Sequence, residues 1–209
     1  MRYLRALITT LILSAFALCA TAAGQTEASK TVDTLHQALL DIMKRSEQLG
    51  YRGRYSTLDP IVAASYDFPT IARIVVGRYW PGLKPDEQKT FLDTFARLST
   101  ATYASRFDGY AGESFRWVSE TKHTGNNVLV KSELIKSDGE IVKLDYVLHP
   151  DKNGQWRIVN VIADGVSDLS LKRADYTSII KNEGYGALIA KLNDKIAWYE
   201  TPSGGTAGK

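Results

Sequence analysis

The chain has 209 residues, with 26 basic and 23 acidic side chains, 44% hydrophobic residues and one cysteine. Nothing in that near-balance of charge asks for nucleic acid, and the length allows one domain with a sizeable core. A lone cysteine excludes a disulfide scaffold within the chain.

Arg2 and Arg5 precede an uncharged, largely apolar run from Ala6 to Leu18, and Ala20-Thr21-Ala22 follows. A basic start, a short apolar stretch and small residues form the pattern of a secretory signal peptide, with cleavage predicted after Ala22. The run is too short to span a bilayer. Lipid attachment at Cys19 is the weaker reading, because Leu18 stands where lipoprotein processing requires a small residue. Cleavage removes Cys19, Arg2 and Arg5, leaving 24 basic against 23 acidic residues and a formal net charge of +1. Residues 23–200 are expected to form a single domain, and residues 201–209, which have no apolar anchor, a disordered tail.

From Thr26 to Glu47, Val32, Leu35, Leu39 and Ile42 recur at spacings of three and four, the stripe of an amphipathic helix, with Asp33 largely off it. Asp59-Pro60 predicts the start of a short helix, and Asp67 caps another running through Ile71, Ile74 and Val75 to Tyr79. Trp80-Pro81-Gly82 breaks the chain. Proline and acids at Pro85-Asp86-Glu87 then open a helix expected to reach Phe107, with Phe91, Phe95 and Leu98 on one face and Tyr103 beside them.

The periodicity changes after Gly109. Candidate strands run Glu113 to Thr121, Asn127 to Lys136, Glu140 to Leu148 and Gln155 to Ile162. Gly125-Asn126, Asp138-Gly139 and Asn153-Gly154 separate them and favour tight hairpins, which predicts a four-stranded antiparallel meander. Val142, Leu144, Tyr146 and Leu148 alternate with Lys143 and Asp145, so one face is meant for a core. Val128 and Val130 share a face with Ser132 and Leu134. Helical spacing returns from Leu169 to Glu183, stops at Gly184 as a C-terminal cap, and resumes through Leu188, Leu192 and Ile196 to Tyr199. Helices around a meander define an α+β domain.

No catalytic or metal site emerges from the residue types. His36, His123 and His149 lie on a helix, a turn and a strand end, without close ligand spacing, and read as surface or half-buried structural residues. Gly165-Val166-Ser167-Asp168 starts like a nucleophile elbow but lacks the second glycine, so Ser167 reads as a helix N-cap. The glycines assemble no phosphate loop. Asp145 and Tyr146 allow an alternative, a small-molecule enzyme on a cone-like scaffold, but strand alternation sends them to opposite faces. A periplasmic interaction adaptor is a third reading.

Tyr66-Asp67-Phe68-Pro69-Thr70-Ile71-Ala72-Arg73-Ile74-Val75-Val76-Gly77-Arg78-Tyr79-Trp80 resembles the "DFxxIARxVLGxxW" segment of the MlaC, or toluene-tolerance, family of periplasmic phospholipid-binding proteins. Gln88, Phe91, Phe95, Leu98 and Thr102-Tyr103-Ala104 resemble its next helix, and Trp156 to Val161 and Asp164-Gly165-Val166-Ser167 its later motifs. After that serine, Asp168 departs from the common "LVxxYRxxF" pattern while Arg173 and Tyr176 match it. This variant, with Gly184-Tyr185 behind it, is similar to the hopanoid-associated HpnM branch.

The resemblance implies a curved, cone-shaped sheet wrapped by N- and C-terminal helices, a lipid held between them, and no catalysis and no cofactor. The ligand would be a phospholipid, a hopanoid or a related lipid, shuttled through the periplasm between inner and outer membranes. Partners would be an inner-membrane lipid transporter and an outer-membrane lipoprotein or porin complex. Candidate lipid-contacting residues, taken from the apolar helix stripes and strand faces, are Ile71, Val75, Phe91, Phe95, Leu98 and Tyr103 on helices. On strands they are Val130, Leu144, Tyr146 and Val161.

Overall fold

The computed structural model describes residues 26–201. The expected signal segment, 1–22, lies outside them, as does the expected tail beyond Thr201. Helices α1 (Glu27–Lys44), α2 (Ser46–Ser65), α3 (Phe68–Val76) and α4 (Pro85–Arg106) precede the sheet, with a 3₁₀ turn over Gly77–Gly82 between α3 and α4. Strands β1 (Ser114–Lys122), β2 (Val128–Ile135), β3 (Ile141–Pro150), β4 (Trp156–Ala163) and β5 (Val166–Ser167) follow. Helices α5 (Asp168–Glu183) and α6 (Tyr185–Glu200) close the described chain.

The helix starts obey local chemistry. Thr26 caps α1 by accepting from the Ser29 N–H, Asp67 caps α3 by accepting from Thr70, and Ser167 caps α5 by accepting from Ser170. Gly184, at φ 91°, ends α5 in a conformation that a side chain resists. Asp59-Pro60 does not begin a helix: Pro60 lies inside α2. The interruption comes earlier, at Gly50, where φ is 56°. Leu58 and Val62 on either side of Pro60 are fully buried, and that packing offsets the lost backbone hydrogen bond.

The sheet is an antiparallel meander in the order β1-β2-β3-β4-β5. The four expected strands are present and a fifth extends them, because Asp164-Gly165, both at positive φ, turn the chain back so that Val166 pairs with Ala163. Two bulges interrupt the register, at Val118 in β1 and at Val159 in β4. Bulges bend a strand and sharpen its twist. Strict alternation in β3 therefore stops after Tyr146: Val147 and Leu148, opposite the second bulge, are both buried.

The helices cover the face carrying Val130, Tyr146, Leu148 and Ile158, while Arg116, Glu133, Lys131 and Lys143 mark the other. The junction between α2 and α3 is tied to β4 by the Asp67 N–H, which donates to the Ile158 carbonyl at 3.0 Å. One apolar core runs from α1 through the sheet face to α4, α5 and α6.

Candidate functional site

Helix α1 packs on the sheet against β4, β2 and β1 and is held at two places. Thr26 donates its hydroxyl to the Glu120 carboxylate on β1, and Thr31 donates to the Trp156 carbonyl on β4 at 3.1 Å. Largely beyond these ties, along the rest of α1, the helix and the β1–β2 pair part to leave a cleft of about 50 Å³. Ser29, Val32, Asp33, His36, Gln37 and Leu40 of α1 form one wall, and Phe115, Trp117 and Ser132 form the other.

His36 forms the floor. It is buried, shares a 3.0 Å hydrogen bond through Nε2 with the Tyr146 hydroxyl, and stacks on Phe115 with ring centroids 4.0 Å apart. The expectation of a surface or half-buried histidine is corrected here. His36 follows Val32 by four residues and precedes Leu39 by three, so the same stripe that buries them buries it. Burial pushes its pKa down to about 3, and the imidazole is neutral at physiological pH.

Behind the floor, aromatic rings run in unbroken contact. Phe115 meets Phe107, Phe107 meets Tyr103, and Tyr103 meets Tyr66, at centroid separations of 6.4, 5.9 and 6.3 Å. From Tyr66 the series continues through Phe68, Phe95 and Phe91 to Trp80. The Tyr66 and Tyr103 hydroxyls bond each other. Burial raises both phenols, Tyr103 to about 12, and also raises Tyr146. The seam from cleft to α4 is therefore uncharged, apolar along its rings and punctuated by paired polar atoms.

The ten residues expected to touch lipid fall into one apolar body. Ile71, Val75, Phe91, Phe95, Leu98, Val130 and Tyr146 are buried, and Tyr103, Leu144 and Val161 are half-buried against them. Val130, Tyr146 and Val161 stand in one row across three strands, with Leu144 two residues along the same face. None of the ten borders the cleft. Tyr146 reaches it only through His36. Asp145 pairs in register with Lys131 and Ile162, away from the Val130–Tyr146–Val161 row. The acid and the phenol share no reacting position, as strand alternation requires.

The polar cleft residues were absent from the sequence-based candidates. Asp33 and Gln37 carry the one available signal, falling four residues apart on the flank of the α1 stripe. Phe115 and Trp117 alternate on the edge strand β1, and nothing in the sequence reveals that α1 packs against it. Among the described residues no group of histidines, cysteines and carboxylates could hold a metal ion. No described helix is long and apolar enough to cross a membrane.

A helix layer over a five-stranded meander, with an uncharged aromatic seam leading to a narrow cleft, defines the α+β class seen in a solved phospholipid-binding protein from Ralstonia solanacearum in complex with a phospholipid. The two structures superpose with a TM-score of 0.73 at 23% identity, covering 84% of this chain and 100% of the other. A sequence profile of the MlaC protein matches residues 33–194, and the chain belongs to the MlaC family. It is 24% identical over 126 residues to the intermembrane phospholipid transport system binding protein MlaC of Haemophilus influenzae, a match that spans 59% of each chain. It is 23% identical over 178 residues to the toluene tolerance protein ttg2D of Pseudomonas putida, covering 83% of this chain and 81% of that one.

Proposed function

We propose that this protein is a periplasmic lipid carrier, which takes a phospholipid, a hopanoid or a related lipid into the seam between helices and sheet and moves it between inner and outer membranes. The observation that carries this reading is the continuous line of neutral rings from the His36–Phe115 floor to Phe91 and Trp80, in a chain of the MlaC family. Each methylene withdrawn from water into such a seam contributes about 0.8 kcal/mol, so acyl chains or fused rings supply the affinity and no chemistry is required. Asp145 and Tyr146 then have structural roles.

The cleft of about 50 Å³ is small beside the roughly 300–1,000 Å³ of ordinary ligand pockets. Loading on this reading parts α1 from β1 and β2, where polar and exposed side chains already separate the layers. Delivery to the periplasm follows from the signal pattern before Ala22. The Haemophilus relative is named as the binding protein of an intermembrane phospholipid transport system, which supports a membrane transport system as a partner; on this reading that is an inner-membrane lipid transporter, with an outer-membrane lipoprotein or porin complex at the other end of the route.

Incubating the purified protein with phospholipid vesicles and then floating the vesicles away tests the proposal. Protein left behind should carry unmodified lipid. Chemically altered lipid, lost on Asp145→Asn, would replace the carrier with an enzyme.

A further inference from the structure

The polar atoms of the cleft are not equally engaged. Ser29 donates its hydroxyl to the Thr26 carbonyl at 3.0 Å, Ser132 donates to the Leu144 carbonyl at 2.7 Å, and His36 is bonded to Tyr146. The Asp33 and Gln37 side chains make no hydrogen bond or ion pair with any described residue. Asp33 is half-buried at the cleft wall, and no lysine or arginine contributes to the lining. The neighbouring cations are spent elsewhere: Lys30 pairs with Glu27, and Arg116 pairs with Glu133 on the outer side of the sheet. Opposite Asp33 stand Phe115 and Trp117, the latter 50% exposed and so presenting indole surface to anything entering.

We infer that this cleft is a headgroup site selective for a lipid-borne ammonium, seated between the Asp33 carboxylate and the Trp117 ring, with Gln37 accepting one of its N–H groups. The inference rests on the carrier reading and adds a substrate class to it. A carboxylate without its own cation attracts positive charge, and an aromatic face does so again through its quadrupole. The same pair repels an anionic head, because no lysine or arginine lines the cleft to receive it. An uncharged polyol head would meet Asp33 and Gln37 as acceptors but gain nothing from the indole. An amine-bearing lipid is thus favoured over an anionic one with the same tails, by about fivefold for a half-exposed ion pair combined with a cation–π contact.

The test offers the intact mature protein vesicles of equal phosphatidylethanolamine and phosphatidylglycerol, matched in acyl chains, and reads the protein-bound lipids by mass spectrometry. Wild type should hold the ethanolamine lipid about fivefold over the glycerol lipid. Asp33→Asn and Trp117→Ala should each bring that ratio toward one while total bound lipid is kept. Asp33→Lys should carry it below one. Asp41→Asn, exposed on α1 and paired with Arg45, should leave it unchanged. Wild type loaded in proportion to the vesicle composition, or a preference that survives Asp33→Asn, overturns this inference and leaves the carrier reading standing. Wild type that acquires no lipid overturns both.

Discussion

His36 on α1 and Tyr146 at the centre of β3, 110 residues apart in sequence, share a buried 3.0 Å hydrogen bond that joins the first helix to the middle of the sheet. The Tyr146 hydroxyl and His36 Nε2 bond no other side chain, so each of these two atoms depends on the other for its side-chain hydrogen bond. Removing the hydroxyl therefore leaves a buried ring nitrogen unpaired. Tyr146→Phe should lower stability by about 1–3 kcal/mol in urea denaturation while leaving lipid load nearly unchanged, because the ring stays. Tyr146→Asp should abolish loading by placing a charge among the apolar groups. Equal loss of lipid in Tyr146→Phe would mean that the hydroxyl contacts the ligand directly.

Burial of His36 sets a pH dependence. His36 has an ordinary pKa of 6.5 and a folded-state value near 3, so between those limits the unfolded chain binds the extra proton. Stability from this group is complete above about pH 6.5 and falls as the pH drops toward 3, at about 1.4 kcal/mol per pH unit. From pH 7.5 to pH 5 the loss is about 2 kcal/mol. His36→Gln, which has no proton to gain, should lose less over that interval. Parallel stability curves for the two proteins would contradict the buried neutral imidazole.

Overpacking separates closed core from lipid-contacting surface. Val130 is fully buried in the sheet row, so Val130→Phe should cost about 1–3 kcal/mol whatever it does to binding. Val161 and Leu144 are only half-buried on the same face. Val161→Phe and Leu144→Trp should reduce bound lipid with a much smaller drop in melting temperature. If both unfold the protein as readily as Val130→Phe, these residues belong to the solid core.

Asp67 joins two elements, its side chain capping α3 and its N–H bonding Ile158 of β4. Asp67→Ala removes the cap alone and should cost about 1 kcal/mol, whereas Asp67→Pro should cost more because it also removes the donor to the sheet. Equal melting temperatures for the two variants would show that the tie to Ile158 adds nothing.

Much of this architecture could be read from local chemistry. Asp67, Ser167, Pro85 and Gly184 marked their helix ends because capping is decided by the residues adjacent in sequence. The hairpins followed from Asn-Gly and Asp-Gly pairs for the same reason. Asp59-Pro60 misled because the identical signal is tolerated inside a helix when tertiary packing at Leu58 and Val62 is strong enough. The cleft was not legible: it depends on which strand α1 crosses, and on Phe115 and Trp117 meeting residues of a helix some eighty positions earlier. Burial of His36 stood between, visible in the α1 spacing but not its partner Tyr146.

A lipid occupying the seam between helices and sheet is read out by organic extraction of the purified protein followed by mass spectrometry. About one intact lipid per protein chain is expected, retained through gel filtration and reduced in Val161→Phe. Protein that releases no lipid, both as purified and after exposure to vesicles, would contradict it.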